Sequence, residues 1–405
     1  MASRERIDIV VPDAVLAENE AKTERLANTC RFQPTDRTPV VVAAHLWARL
    51  AGSGVRFTEM LQGPREHLRG QILNRKWRIE TIRDDLPIDT ERMKLDSDFG
   101  ALRGVEFPLE IEWNGDNPAA TIPLLQEPED IDRLSVPDPA GGLNAKRIEW
   151  YHAMVAMLDD FDVRLNGQPL RLETYLWHMG GPFPSALALC GANVFLWMKT
   201  QPERIHRLMD ITTTSHLQVL DYVDSLTGLP CGHDVLMGAD GAELMSARMF
   251  QEFVVPYYRR VWEHVAYPRR IHMCGQIKHI LPLLRDDLDV SFLVGYGFPL
   301  SRLALRDELA GRMLLQGGPH PVLVQEGPAE RIIAECMAYI RDAGGQGGYI
   351  LSEGYGLMPG TPPEHVAAMV EASRRVGAIA DPPAASRALA PKLASDHLWQ
   401  DFWRS

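Results

Sequence analysis

Short segments rich in apolar and β-branched residues recur along this chain, many followed by glycine or a loop and then by an amphipathic helical stretch. They lie at 40–44, 169–176, 234–239, 270–274, 290–295, 312–316 and 348–352, with an earlier one around 93–98. The helical stretches among them include 202–226, 247–266, 276–284, 329–343 and 363–376. Strands that alternate with helices imply βα units and a parallel sheet. Eight strands suit an α/β fold of the single (β/α)8 TIM-barrel type, and one barrel absorbs 405 residues with insertions. The competing architecture is an open doubly wound sheet, but no GxGxxG follows a strand here to favour it.

The repeat also divides the chain. Residues 1–36 read as a polar lead-in with one helix at 13–28, residues 37–380 as the barrel, and residues 381–405 as a tail. The stretch 99–160, rich in Pro, Asp and Glu, reads as insertions and a helical pair over the barrel mouth. The tail ends with Trp399, Phe402 and Trp403 close together. Such rings either pack back on their own domain or form the interface of a homodimer, where aromatics are enriched.

A formal charge of −12 excludes a nucleic-acid partner, because phosphate binding needs a basic surface. It suits a protein that handles a small-molecule substrate. The charged start lacks the apolar centre of a signal peptide, and no apolar run approaches the roughly 18 residues that span a bilayer. A cytoplasmic location away from any membrane is the expectation. The five cysteines form no CxxC pair, so reduced thiols are expected, most of them small core hydrophobes. Cys274 is the exception.

It stands in Arg270-Ile271-His272-Met273-Cys274-Gly275. Residues two apart on a strand project from one face, so His272 and Cys274 point together, into the barrel at the strand's carboxyl end. Barrel enzymes keep their active sites there. Imidazole and thiolate make half of a zinc site. Neighbouring strand ends add polar or glycine-rich signals: Asp240 with Glu243, Tyr296 between Gly295 and Gly297, Gly317-Gly318, and Glu353. His45 and His178 also follow strands, and His45, His178, Tyr296 and Gly317 are the candidate substrate-binding residues. Asp240 reads equally as a salt-bridged structural carboxylate, and Glu353 as a capping or loop residue.

Five stretches, in order, resemble the uroporphyrinogen decarboxylase superfamily, which includes zinc-dependent corrinoid:coenzyme M methyltransferases. They are Asp36-Arg37-Thr38-Pro39, the segment 181–191 opening Gly181-Pro182-Phe183, the segment 238–257, Ile271 to Gly275, and the segment 347–364. The resemblance runs from about 37 to 376 and implies a (β/α)8 barrel. The decarboxylase carries an arginine-rich stretch after its first strand to hold tetrapyrrole carboxylates; the matching region here has Arg49 alone. The methyltransferases carry His-x-Cys on strand five, which His272 and Cys274 match. Their third zinc ligand, a cysteine after the last strand, falls at Tyr355, so the resemblance leaves Glu353, Tyr355 or another barrel residue, or no metal at all, as the alternatives.

The function this implies is zinc-assisted methyl transfer between a corrinoid and a small thiol or methoxylated compound. No D-x-H-x-x-G corrinoid signature is present, so the corrinoid would arrive on a partner protein. The metal set is then His272, Cys274 and Glu353, with Asp240, Tyr355 and Asp98 as catalytic candidates. The alternatives are a metal-free decarboxylase or lyase of a small acid, with Asp240 or Asp98 (near Asp96) as the polar catalyst, and a non-catalytic binding barrel.

Overall fold

A computed structural model describes residues 4–97, 99–100, 103–176, 180–228, 236–265, 268–379, 386 and 389. Its strands are β1 (Glu5–Ile9), β2 (Arg92–Asp96), β3 (Glu110–Glu112), β4 (Ala120–Ile122), β5 (Phe161–Leu165) and β6 (Gln168–Pro169). They continue with β7 (Arg171–Tyr175), β8 (Leu236–Gly238), β9 (Arg270–His272), β10 (Phe292–Val294), β11 (Leu314–Gly317) and β12 (Tyr349–Leu351). Strands β8 to β12 pair in sequence order and all in parallel. Helices Ala247–Phe253 and Val255–Val265 connect β8 to β9, and Arg302–Glu308 connects β10 to β11. Pro321–Glu326 and Ala329–Ala343 connect β11 to β12, and Pro363–Val376 follows it.

The ladder extends at both edges. β2 pairs with β7 in parallel, and Gly180 beyond β7 bridges Met237 of β8. Val40 bridges Leu351, and the Val41 amide donates to the Leu351 carbonyl at 2.9 Å. Between the 40–42 segment and β2, no strand pairing occurs among the described residues. Side chains satisfy that edge instead: the Val40 amide donates to Asp85 at 2.7 Å and the Val42 amide to Asp84 at 3.0 Å. Arg25 and Arg37 hold Asp85, and Arg78 holds Asp84. Buried amides need acceptors, and carboxylates take the place of a neighbouring strand here. The fold is thus mixed α/β, with a parallel ladder in which no strand pairing joins the 40–42 segment to β2 among the described residues.

Strand alternation sorts the side chains. Val40, Met237, Ile271, Leu293, Leu315 and Leu351 face the helices in the main core. Val41, Phe292, Leu314 and Ile350 form a separate cluster with Leu26, Cys30 and Phe32. Leu26 and Cys30 belong to the helix Asn19–Cys30, which therefore packs against the amino-terminal ends of the strands. Two residues further along the strands, the same faces carry Val294 and Gln316, with His272 beside them, into a cavity.

Three expectations change in detail. The lead-in holds a strand as well as a helix: β1 pairs in parallel with β5, with β6 folding back on β5. Its helical part divides into Asp13–Ala17 and Asn19–Cys30. The helix expected at 276–284 is replaced by turns and a π-helical turn, Leu283–Asp287. Pro282 lies inside that stretch, where it removes a backbone donor and clashes with the preceding turn. The insertion 99–160 supplies the β3–β4 hairpin, the short helix Asp130–Arg133 and one longer helix, Gly142–Ala156, rather than a helical pair.

Candidate active site

At the carboxyl end of β9, His272, Cys274 and Asp240 bring one ligand atom each to within 4.8 Å of one another. The strand rule explains the first two, and Asp240 arrives from the turn after β8, which pairs with β9. His272 Nε2 lies 3.3 Å from Asp240 Oδ1, and Cys274 Sγ lies 3.7 Å from the same oxygen. His272 Nδ1 lies 3.0 Å from the Val294 carbonyl, which can only accept. Nδ1 therefore carries the hydrogen, and Nε2 is the nitrogen turned toward Asp240. Gly295 makes that approach feasible: its φ is +57°, and a Cβ there would stand 3.0 Å from His272 Nδ1.

Charge is balanced within this group. Burial opposes a charge on His272, but Asp240 and Cys274 outweigh it and raise the ring to about 10. Burial likewise pushes the Asp240 carboxyl up, yet the bond from His272 prevails and holds it below the usual carboxylate range. The second nitrogen holds a proton toward Asp240, beside Cys274 Sγ, which is the position that a cation would take. Nitrogen, sulfur and oxygen donors with a fixed imidazole tautomer fit zinc, which binds all three. Burial pushes the Cys30 and Cys190 thiols up to about 12, and the Cys336 thiol higher still.

The group opens on a cavity of about 390 Å³. Glu353 lines it but is not part of the three-residue group; its Oε1 accepts from the Ala43 amide at 3.1 Å. Burial raises its carboxyl to about 7. Tyr355 stands at the rim, half exposed, its ring 6.4 Å from that of His272. His45 also lines the cavity, with Nε2 3.0 Å from the Tyr355 carbonyl. Tyr296 and Gly317 do not line it. Tyr296 is fully buried, and a Cβ on Gly317 would lie 2.5 Å from the tyrosine ring, so the pair packs the interior. His178 and Asp98 fall outside the described residues.

Apart from Arg49, sequence reasoning missed the arginines. Arg49, Arg75, Arg78, Arg103, Arg147 and Arg270 all line the cavity. Arg270 was readable: it precedes His272 by two residues on the same strand. Gln71, Arg75 and Arg78 share a face of the helix Pro64–Thr81 through their spacing of four and three. Nothing local links Arg103 or Arg147 to this site.

Fold and site define a class: an α/β protein with a polar cavity at the carboxyl ends of parallel strands, the usual place for an enzyme's ligand. The chain belongs to the uroporphyrinogen decarboxylase family, matching the family described as "Uroporphyrinogen decarboxylase (URO-D)" over residues 103–376. It is 25% identical over 376 residues to a uroporphyrinogen decarboxylase of Anaeromyxobacter sp. (strain Fw109-5), covering 86% of this chain and 98% of that one. It is 26% identical over 276 residues to a methylated-thiol–coenzyme M methyltransferase of Methanosarcina mazei, covering 65% of this chain and 67% of that one. A solved methyltransferase from Methanosarcina mazei shares the fold, with a TM-score of 0.60 at 18% identity over 88% of this chain and 98% of that one. The relatives are enzymes of both kinds, and no helix among the described residues is long and apolar enough to cross a membrane.

Proposed function

We propose that this chain is a metal-assisted methyltransferase, moving a methyl group between a corrinoid borne by a separate protein and a small thiol or methoxylated compound. The observation that carries this reading is the grouping of His272, Cys274 and Asp240. These three residues would hold zinc, with Asp240 supplying the oxygen that the sequence analysis assigned to Glu353. When bound, zinc would lower the pKa of a thiol or hydroxyl group at its open position. The chain's own groups do the rest. Val294 orients the imidazole, Tyr355 covers one side of the mouth, and Glu353 can hold or release a proton at the cavity wall near neutral pH. The scaffold we infer is a single (β/α)8 barrel over 37–380, preceded by the lead-in and followed by the tail at 381–405.

A second reading, a metal-free decarboxylase or lyase of a small acid, is favoured by the six arginines of the cavity. Elemental analysis separates the two. Protein purified without chelator should carry about one zinc per chain, and Cys274→Ala should lose it together with demethylation of free methylcobalamin by a thiol. Wild-type protein that stays metal-free after incubation with zinc would overturn the methyltransferase reading.

A further inference from the structure

The cavity is far more basic than the chain that builds it. Among the described residues, six arginines line it against three carboxylates, those of Asp96, Asp240 and Glu353, although the whole chain has a formal charge of −12. They come from five separate segments: the helices Leu46–Ser53, Pro64–Thr81 and Gly142–Ala156, the loop at 103, and β9. Positive charge therefore surrounds the cavity rather than marking one spot in it.

Some of these guanidinium groups have protein duties. Arg78 holds Asp84 at 2.8 Å, and Arg103 lies 3.9 Å from Asp240. Arg147 donates to the Ser97 carbonyl at 3.3 Å and to Asn144 Oδ1 at 3.1 Å. Arg75 is different. It has no hydrogen-bond or ion-pair partner among the described residues, and its Nε is buried. A half-buried guanidinium without a counter-charge costs free energy unless something supplies one. Arg75 faces the cavity, so that counter-charge belongs to whatever fills it.

We propose that the substrate of this site is a small organic polyanion with at least two carboxylate groups, anchored by Arg75 and steered by the surrounding arginines. The proposal takes the cavity as the substrate site, as above, but needs no metal. Guanidinium groups bind carboxylates through paired N–H donors, and several around one cavity favour a ligand with more than one such group. A focused positive field inside an acidic protein also draws small anions from solution while the outer surface repels large ones. The methyl acceptor or donor would then be a thiol or methoxylated compound that is itself a di- or tricarboxylate.

Thermal-shift titration at fixed ionic strength tests this with citrate and phthalate as probes, against phthalamide as a neutral counterpart and inorganic phosphate as a simple anion. The expected result is a saturable rise in Tm with one or both carboxylates and none with phthalamide or phosphate. Arg75→Met should weaken carboxylate binding at least tenfold, and Arg75→Lys should restore part of it. The titration is repeated on Cys274→Ala, where persistence of the shift keeps the anion site separate from the metal reading. No saturable shift with either carboxylate in the wild type, or an equal shift from phthalamide or phosphate, would overturn the proposal whether or not the variants fold.

Discussion

The two ends of the parallel ladder are built from the same strands and differ in every chemical respect. At the amino-terminal end, inward side chains are Val41, Phe292, Leu314 and Ile350, closed over by Leu26, Cys30 and Phe32. At the carboxyl end, the same faces present His272, Val294 and Gln316 to a cavity that helices and a loop line with Arg49, Arg75, Arg78, Arg103 and Arg147. Only one residue along β9, Ile271, separates Arg270 from His272. One end invests its side chains in apolar burial, and the other leaves polar groups around an open volume. Stability should reside at the first end and chemistry at the second.

The largest effect expected in breaking this contrast comes from Phe292→Ala. Removing a fully buried aromatic ring from the plugged end should cost about 3–5 kcal/mol in urea unfolding. Metal content per folded chain should not change. A loss of metal before any loss of fold would show that the two ends are not separable in this way.

A smaller effect is expected in the outlying sheet of β1, β5 and β6. Ile9 is fully buried there, in a cluster with Val163, Leu165 and Leu95. Ile9→Ala should cost roughly 2–4 kcal/mol, and hydrogen exchange should show β1 and β5 opening before β8 to β12. Exchange that accelerates equally in all these strands would mean that the outlying sheet and the ladder form one cooperative unit.

The smallest effect concerns Glu353 and depends on pH. Its folded pKa of about 7 lies above the ordinary 4.5, chiefly through burial, so the folded state holds the proton more tightly than the unfolded chain. The stability this gives is fully present below about 4.5 and is lost as pH rises through 7. Glu353→Gln should therefore match the wild type near pH 4.5 and exceed it at pH 8, by at most about 3 kcal/mol. Equal pH dependence in both proteins would mean that the carboxyl is not protonated on folding.

Much of the ladder was legible because its signals are local. Helices expected at 329–343 and 363–376 form as Ala329–Ala343 and Pro363–Val376. β1 also had a local signal, since Ile7, Ile9 and Val11 alternate with polar residues, but a strand needs a partner and this one lies at Phe161–Leu165. The absence of ladder pairing between 40–42 and β2 among the described residues was not legible, because the acceptors for the Val40 and Val42 amides are Asp85 and Asp84, more than forty residues away.

The sequence by itself determined that His272 and Cys274 share a strand face at the carboxyl end of β9, because side-chain direction along a strand alternates with a period of two. Tertiary structure alone decided which oxygen joins them and what surrounds them. Asp240 enters because β8 lies beside β9, while Glu353, the expected ligand, turns to the Ala43 amide beside β12. Arg75, Arg103 and Arg147 reach the same cavity from three segments that no short-range pattern connects. Periodicity fixes the face on which a side chain lies, but pairing between distant strands decides which faces meet.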